Sequence, residues 1–255
     1  MQKFFDIAQQ AAKAAGKIIK DNFHKNKNIS YKGRIDLVTD IDKKAEDNII
    51  KILNKHFPKH NILTEETDFD IDDRTEYCWV IDPLDGTTNY VHEFPFVNVS
   101  IALQKNKKSI VGVVFNPILD EFFCAIKGRG SYKDEQKLSV SKTTELKKSM
   151  LATGFPYEMN SERNNLHNFN RVIKKCRGVR RPGAAAIDLC YVAAGTFDGF
   201  WEMELHPWDT AAGILIVEEA GGKVSKFDGS EFSIFDKEIL VTNGQIHGDL
   251  IEILS

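Results

Sequence analysis

Trp79-Val80-Ile81-Asp82-Pro83-Leu84-Asp85-Gly86-Thr87-Thr88-Asn89-Tyr90 is the stretch around which the chain is organised. An apolar run from Tyr77 to Ile81 stops at an acid, and Pro83 fixes the next φ. Asp85 follows, and Gly86-Thr87-Thr88 adds a small, flexible step with hydroxyls. The pattern predicts a strand end, a tight turn and a cluster of oxygen ligands, the chemistry that hard divalent cations such as Mg²⁺ take. The amides of Gly86 and Thr87 can receive an anion where a helix or nest opens. Asp-Pro and Asp-Gly also mark ordinary turns, so a metal site here depends on acids elsewhere in the chain.

Upstream, Asn61-Ile62-Leu63-Thr64-Glu65-Glu66 is strand-like and ends in two acids. Adjacent carboxylates alternate sides on an extended chain, so one of them faces a given site. Residues 1–23 carry Phe4, Ile7, Ala8, Ala11, Ala15, Ile18 and Ile19 at helical spacing. Residues 24–36 are polar and read as irregular, with Lys32-Gly33-Arg34 among them. A second helix follows, with Thr39 as N-cap, Asp42 three residues on, and Phe57-Pro58 at its end. Asp40 and Asp42 either favour that helix start electrostatically or hold negative charge near a metal.

Downstream, residues 96–103, 109–115 and 121–126 are rich in Val, Ile and Phe and read as a mostly antiparallel meander. It closes a first region at 1–140. The second region, 141–255, begins with a strand and turn over 150–155 and a helix over 162–175. A basic, Gly/Pro-bounded passage from Arg177 to Gly183 then leads into a small-residue helix over 184–194. A strand over 197–203 precedes a helix opened by Trp208-Asp209, with Asp209 either its N-cap or a group facing a cation. His206 and Trp208 read as packed residues. Strands over 222–227 and 238–242 and a helix over 245–254 complete the chain.

The chain has 255 residues, 42% hydrophobic content and a formal charge of -3, enough for one large core or two smaller ones and without a basic excess for nucleic acid. Cys78, Cys124, Cys176 and Cys190 form no C-x-x-C and no zinc spacing, and reduced structural thiols fit a cytoplasmic protein. The N-terminus lacks the apolar core of a signal peptide, and no apolar run reaches membrane-spanning length.

Glu66 at a strand end, Asp82 and Asp85 around a Pro turn, and Asp209 at a helix start would repel one another if packed together without a cation. No Ser or Cys sits in a recognisable nucleophile elbow. A carboxylate cage beside anion-binding amides points to metal-assisted phosphoryl transfer to water.

With these residues the sequence resembles the inositol monophosphatase family of Mg²⁺-dependent, lithium-sensitive phosphatases. Three blocks carry the likeness: Thr64-Glu65-Glu66, Asp82-Pro83-Leu84-Asp85-Gly86-Thr87, and Trp208-Asp209-Thr210-Ala211-Ala212-Gly213 through Ala220-Gly221-Gly222. The resemblance implies a layered αβαβα α/β sugar-phosphatase fold, a homodimer and two or three Mg²⁺ ions. It implies that Glu66 binds metal and orients the attacking water, that Asp82 bridges two metals and that Leu84 offers its carbonyl oxygen. Asp85 and Asp209 match ligands of the second metal. Gly86 and Thr87 match phosphate-binding amides, with the Thr87 hydroxyl positioning the water and Asp42 near the water network. Lys32 falls where a loop lysine approaches the site, Ala185 where a residue lines the substrate pocket, and Glu202 where an acid binds sugar-ring hydroxyls. The expected substrate is a phosphorylated polyol, myo-inositol monophosphate first. Related activities act on fructose bisphosphate, histidinol phosphate or adenosine 3′,5′-bisphosphate, and Arg180 and Arg181 suit a second phosphate. Some bacterial members also act as partners in ribosomal RNA transcription complexes.

Overall fold

The computed structural model describes residues 1–25, 29–31, 37–67, 75–156 and 165–255, and Lys32 lies outside them. Helix α1 (Gln2–Asn22) buries Ile7, Ala8, Ala11, Ala15 and Ile19, the stripe its spacing predicts. Strands β1 (Ile29–Tyr31) and β2 (Leu37–Thr39) pair antiparallel, inside and just beyond the stretch read as irregular. Strands of three residues give too few alternations to register as a pattern. Helix α2 (Asp40–His56) starts at the expected capping box: the Asp42 carboxylate accepts from Thr39 N at 2.8 Å.

Strand β3 (Asn61–Thr64) runs parallel to β4 (Tyr77–Asp85), which leads into the short helix α3 (Thr87–Val91). Strands β5 (Asn98–Lys105), β6 (Lys108–Asn116), β7 (Glu121–Ile126), β8 (Ser131–Lys133) and β9 (Gln136–Lys137) then form the antiparallel meander. The seven strands lie in the order β3-β4-β5-β6-β7-β8-β9. After β10 (Met150–Thr153) come α4 (Asn165–Val172), β11 (Gly178–Arg180), α5 (Ala185–Ala193) and β12 (Gly199–Met203). Helix α6 (Pro207–Glu219), β13 (Lys223–Ser225), β14 (Glu238–Thr242) and α7 (His247–Leu254) finish the chain. The second sheet has the order β11-β10-β12-β14-β13, with β10 parallel to both neighbours. The basic passage at 177–183 hides β11 from a sequence reading, because an edge strand of three residues needs no apolar face.

Side-chain alternation along the central strands sorts residues into three cores. Ile81, Ile101 and Val113 pack with α1 and α2 on the outer face of the first sheet. Val80, Ala102 and Val114 face the opposite way, and meet Leu189 of α5, Ile216 of α6 and Phe200 and Val241 of the second sheet. Trp201 and Leu240 point to the far side, against Val172 of α4 and Leu250 of α7. The result is the expected layering αβαβα. Each sheet is covered on both faces, which is why its strands read as continuous apolar runs rather than clean alternations.

One local expectation changes. Helix α6 begins at Pro207, ahead of the expected Trp208-Asp209 opening, with His206 as N-cap and Asp209 at the third helical position rather than at the cap. Proline at the first helical position explains the earlier start, since its missing N–H is not needed there. Trp208 is half-buried and stacks on His206, ring centroids 4.8 Å apart and 4° from parallel. Cys124 and Cys190 are buried, Cys78 and Cys176 half-buried, and all four are free thiols. Among the described residues no helix is long and apolar enough to cross a membrane.

Candidate active site

The pairing of β4 with β5 slips at the motif. Asp82 lies opposite Ser100, yet Asp85 lies opposite Asn98, so β4 spends one more residue than its partner. In a regular strand, residues three apart point to opposite faces; the extra residue at Pro83 lets both carboxylates serve one pocket. Asp82 Oδ1 accepts from Leu84 N at 3.0 Å, which closes the turn. Asp85 Oδ2 accepts from Asn98 Nδ2 and from Ala186 N, both at 2.9 Å, tying the strand end to the first turn of α5. Gly86 follows at φ 89°, where a Cβ would stand 3.0 Å from Phe96 O and 3.3 Å from Ala184 Cβ. Asn89 Nδ2 donates to Phe96 O at 2.8 Å and to Pro182 O at 2.9 Å, holding the basic passage against α3.

A cavity of about 730 Å³ opens over this turn. Its walls include Glu65, Asp82, Leu84, Asp85, Gly86, Thr87, Arg181, Ala185, Glu202 and Asp209. Of the two acids ending β3, Glu65 lines the cavity and Glu66 does not, so the position expected of Glu66 falls to its neighbour. Period-two alternation is the reason: Leu63 and Glu65 share one face of the extended segment, and Leu63 packs on the core between the sheets. Glu66 N donates to Glu46 Oε2 at 3.0 Å. Arg180 carries an exposed side chain, away from the cavity wall.

Thr87 and Asp42 meet at the edge of the cavity. Thr87 Oγ1 lies 3.0 Å from Asp42 Oδ1 and 3.2 Å from Leu84 O. The carboxylate is the stronger acceptor and takes the single hydroxyl proton, leaving the Thr87 oxygen lone pairs for another donor. Asp42 Oδ2 accepts from Thr39 N and Thr39 Oγ1, so the carboxylate is fully engaged. Its capping role and its contact with the site are the same placement.

Burial and mutual repulsion raise the pKa of the acids in the cavity. Burial holds the Asp82 carboxyl well above its usual range, and the charges of Glu65, Asp85 and Asp209 push it further. Burial lifts Asp85 to about 6, against hydrogen bonds from Asn98 and Ala186. Asp209 is raised by desolvation and by Asp85. Glu202 is pushed up to about 8 by burial, opposed by the Arg181 charge. The donor set, carboxylates plus the Leu84 carbonyl, consists of oxygen only and fits a hard divalent cation. Among the described residues no three His, Cys, Asp or Glu side chains already close on one point.

Two buried acids went unnoticed in the sequence. Asp188, 1% exposed on α5, lines the cavity, its Oδ1 without a hydrogen-bond partner among the described residues, and burial and Glu202 raise its pKa. Glu46, 1% exposed on α2, accepts from Thr64 Oγ1 at 3.1 Å as well as from Glu66 N. Its two bonds bracket Glu65 and fix the end of β3. Only the burial of their faces separates them from solvated helix charges. Glu46→Ala takes the acceptor away from the buried Thr64 hydroxyl and the half-buried Glu66 N–H and should cost about 2–4 kcal/mol of stability. Glu46→Gln keeps an oxygen acceptor and should cost much less. Chemical denaturation of both variants checks this; equal stability of wild type and E46A would remove the bracket.

The inositol monophosphatase family model matches residues 1–255. The chain is 44% identical to "Inositol monophosphatase 2" of Solanum lycopersicum over 100% of this chain and 99% of that protein. It is 39% identical to "Nus factor SuhB" of Haemophilus influenzae, over 98% and 95%. The crystal structure of the suhB protein of Bartonella henselae superposes with a TM-score of 0.95 at 39% identity, covering 99% of this chain and 98% of that one. With a full-length family match and a carboxylate-lined cavity at the junction of its two sheets, the chain belongs to the inositol monophosphatase family of phosphomonoesterases.

Proposed function

We propose that the protein hydrolyses the phosphate monoester of a polyol, myo-inositol monophosphate foremost, in a Mg²⁺-dependent reaction. The observation that carries this is the gathering of Glu65, Asp82, Asp85 and Asp209 in one cavity with Thr87 and Glu202. Bound Mg²⁺ would supply charge neutralisation at the phosphate and a more acidic water. Glu65, Asp82, Asp85, Asp209 and the Leu84 carbonyl would hold it. The Thr87 oxygen, with its proton on the side of Asp42, accepts a hydrogen from the attacking water and helps aim it. The amides of Gly86 and Thr87 receive the phosphoryl oxygens. Ala185 leaves room for the alcohol, and the Glu202 carboxylate accepts from its hydroxyls. Residues 1–140 would supply the phosphate half of the site and 141–255 the alcohol half, in a cytoplasmic homodimer.

Arg181 favours the polyol over a bisphosphate. Its charge acts on Asp188 and Glu202, and these two acids would repel a second phosphate placed beside it. A second reading, as a non-enzymatic partner in transcription complexes, is favoured by the similarity to the Haemophilus influenzae Nus factor. Phosphate release from myo-inositol 1-phosphate and from p-nitrophenyl phosphate separates the two. Release should need Mg²⁺ and be blocked by LiCl but not by NaCl at equal ionic strength. Glu202→Gln should lower kcat/KM for the inositol ester roughly ten- to hundredfold and spare the aryl ester. No Mg²⁺-dependent release from either substrate would leave the transcription reading.

A further inference from the structure

The Glu202 carboxylate lies in a space that exists because residue 154 has no side chain. Strands β10 and β12 run parallel, Thr153 pairing with Trp201, so Gly154, the residue after β10, stands beside Glu202 within β12. A Cβ on Gly154 would fall 2.0 Å from Glu202 Oε1 and 2.3 Å from its Cδ and Oε2. Such an overlap cannot stand, and one partner must move.

The backbone is the partner that cannot. Thr153 Oγ1 donates to Trp201 O at 2.6 Å, linking the two strands just before the contact. Asn165 Nδ2 donates to Gly154 O at 2.5 Å and to Thr153 Oγ1 at 2.7 Å, and Trp201 Nε1 donates to Asn165 Oδ1 at 2.8 Å. Thr153, Asn165 and Trp201 are fully buried. The carboxylate of Glu202 is a different case. Among the described residues no hydrogen bond holds it; its surroundings are the cation of Arg181 and the acids Asp85 and Asp188. Shape, set by the bare α-carbon of Gly154, is what keeps it in place.

We propose that Gly154 is a specificity-determining positioning residue, whose missing side chain seats the Glu202 carboxylate where it accepts hydroxyls of a polyol substrate. The inference rests on the reading of Glu202 as the hydroxyl acceptor. Gly154 does not use the left-handed region, so alanine can adopt its backbone conformation, and the three atoms nearest to the methyl group all belong to Glu202.

The test is a double-mutant cycle with a rescue. The readout is the ratio of kcat/KM for myo-inositol 1-phosphate to that for p-nitrophenyl phosphate, in wild type, G154A, E202Q and G154A/E202Q. Both single variants should lower the ratio roughly tenfold, mainly through KM for the inositol ester, and the double variant should lower it no further. Glu202→Asp withdraws the carboxylate by one methylene, so G154A/E202D should recover part of the ratio lost in G154A, and should recover folding if G154A folds poorly. A wild-type ratio in folded G154A beside a lowered ratio in E202Q overturns the Gly154 assignment alone. Multiplying effects, or no rescue by E202D, overturn it too. An unchanged ratio in E202Q overturns the hydroxyl reading of Glu202 beneath it.

Discussion

Asp82→Asn should lower kcat/KM by about a thousandfold or more while leaving the chain folded. Asn keeps the Oδ1 that accepts from Leu84 N, so the turn survives the change. What disappears is a charge held at 2% exposure against three other acids, Glu65, Asp85 and Asp209. That arrangement is unfavourable without a cation and favourable with one. The variant should therefore bind Mg²⁺ more weakly by calorimetry and, free of metal, unfold at a higher temperature than wild type. Activity and Mg²⁺ affinity both at the wild-type level in folded D82N would remove Asp82 from the metal site. Loss of activity with unchanged Mg²⁺ affinity would leave it a role toward substrate only.

The extent to which this site was legible differs by residue, for physical reasons. Asp82, Asp85 and Gly86 stand within a few positions of one another, and a strand, a proline and a glycine constrain them locally. Local constraint is what a sequence displays. The choice between Glu65 and Glu66 is a matter of phase. Alternation says that one of them faces the cavity, but the phase is set by Leu63 packing on a core built from distant strands. Asp188 and Glu46 were hidden for a related reason: each sits on a helix whose polar face is covered by another element, and covering is a tertiary fact. The layers themselves were easier. Helical stripes at 1–23 and 40–56 and the apolar runs of the meander are long enough to identify, whereas β1, β2, β8, β9 and β11 have three residues or fewer. The order of the second sheet, with β14 between β12 and β13, depends on long-range pairing that no local pattern records.

Asp209→Asn should cost about as much activity as the change at Asp82, and it separates two roles that the sequence left superposed. As a helix residue, Asp209 accepts from His206 N at 2.7 Å at the start of α6. Asparagine can make that same bond, so a purely structural Asp209 predicts near-normal turnover and a small loss of stability. As a cation ligand, Asp209 carries a charge that desolvation and Asp85 oppose, its pKa raised accordingly. Removing the charge should then stabilise the metal-free protein, abolish most activity and blunt the rise in melting temperature that Mg²⁺ gives the wild type. The pH dependence follows from the same repulsion. Asp85, at about 6 in the fold, and Asp209 bind protons more readily folded than unfolded. Groups raised in this way contribute full stability below their unfolded pKa and lose it as the pH rises through the folded value. Metal-free wild type should therefore melt at a higher temperature at pH 5 than at pH 7, with a shallower slope in D209N. Mg²⁺ should reverse the trend at pH 7, because it competes with protons for the same oxygens. A D209N protein that melts lower than wild type without metal, and still turns over normally, would return Asp209 to the helix cap.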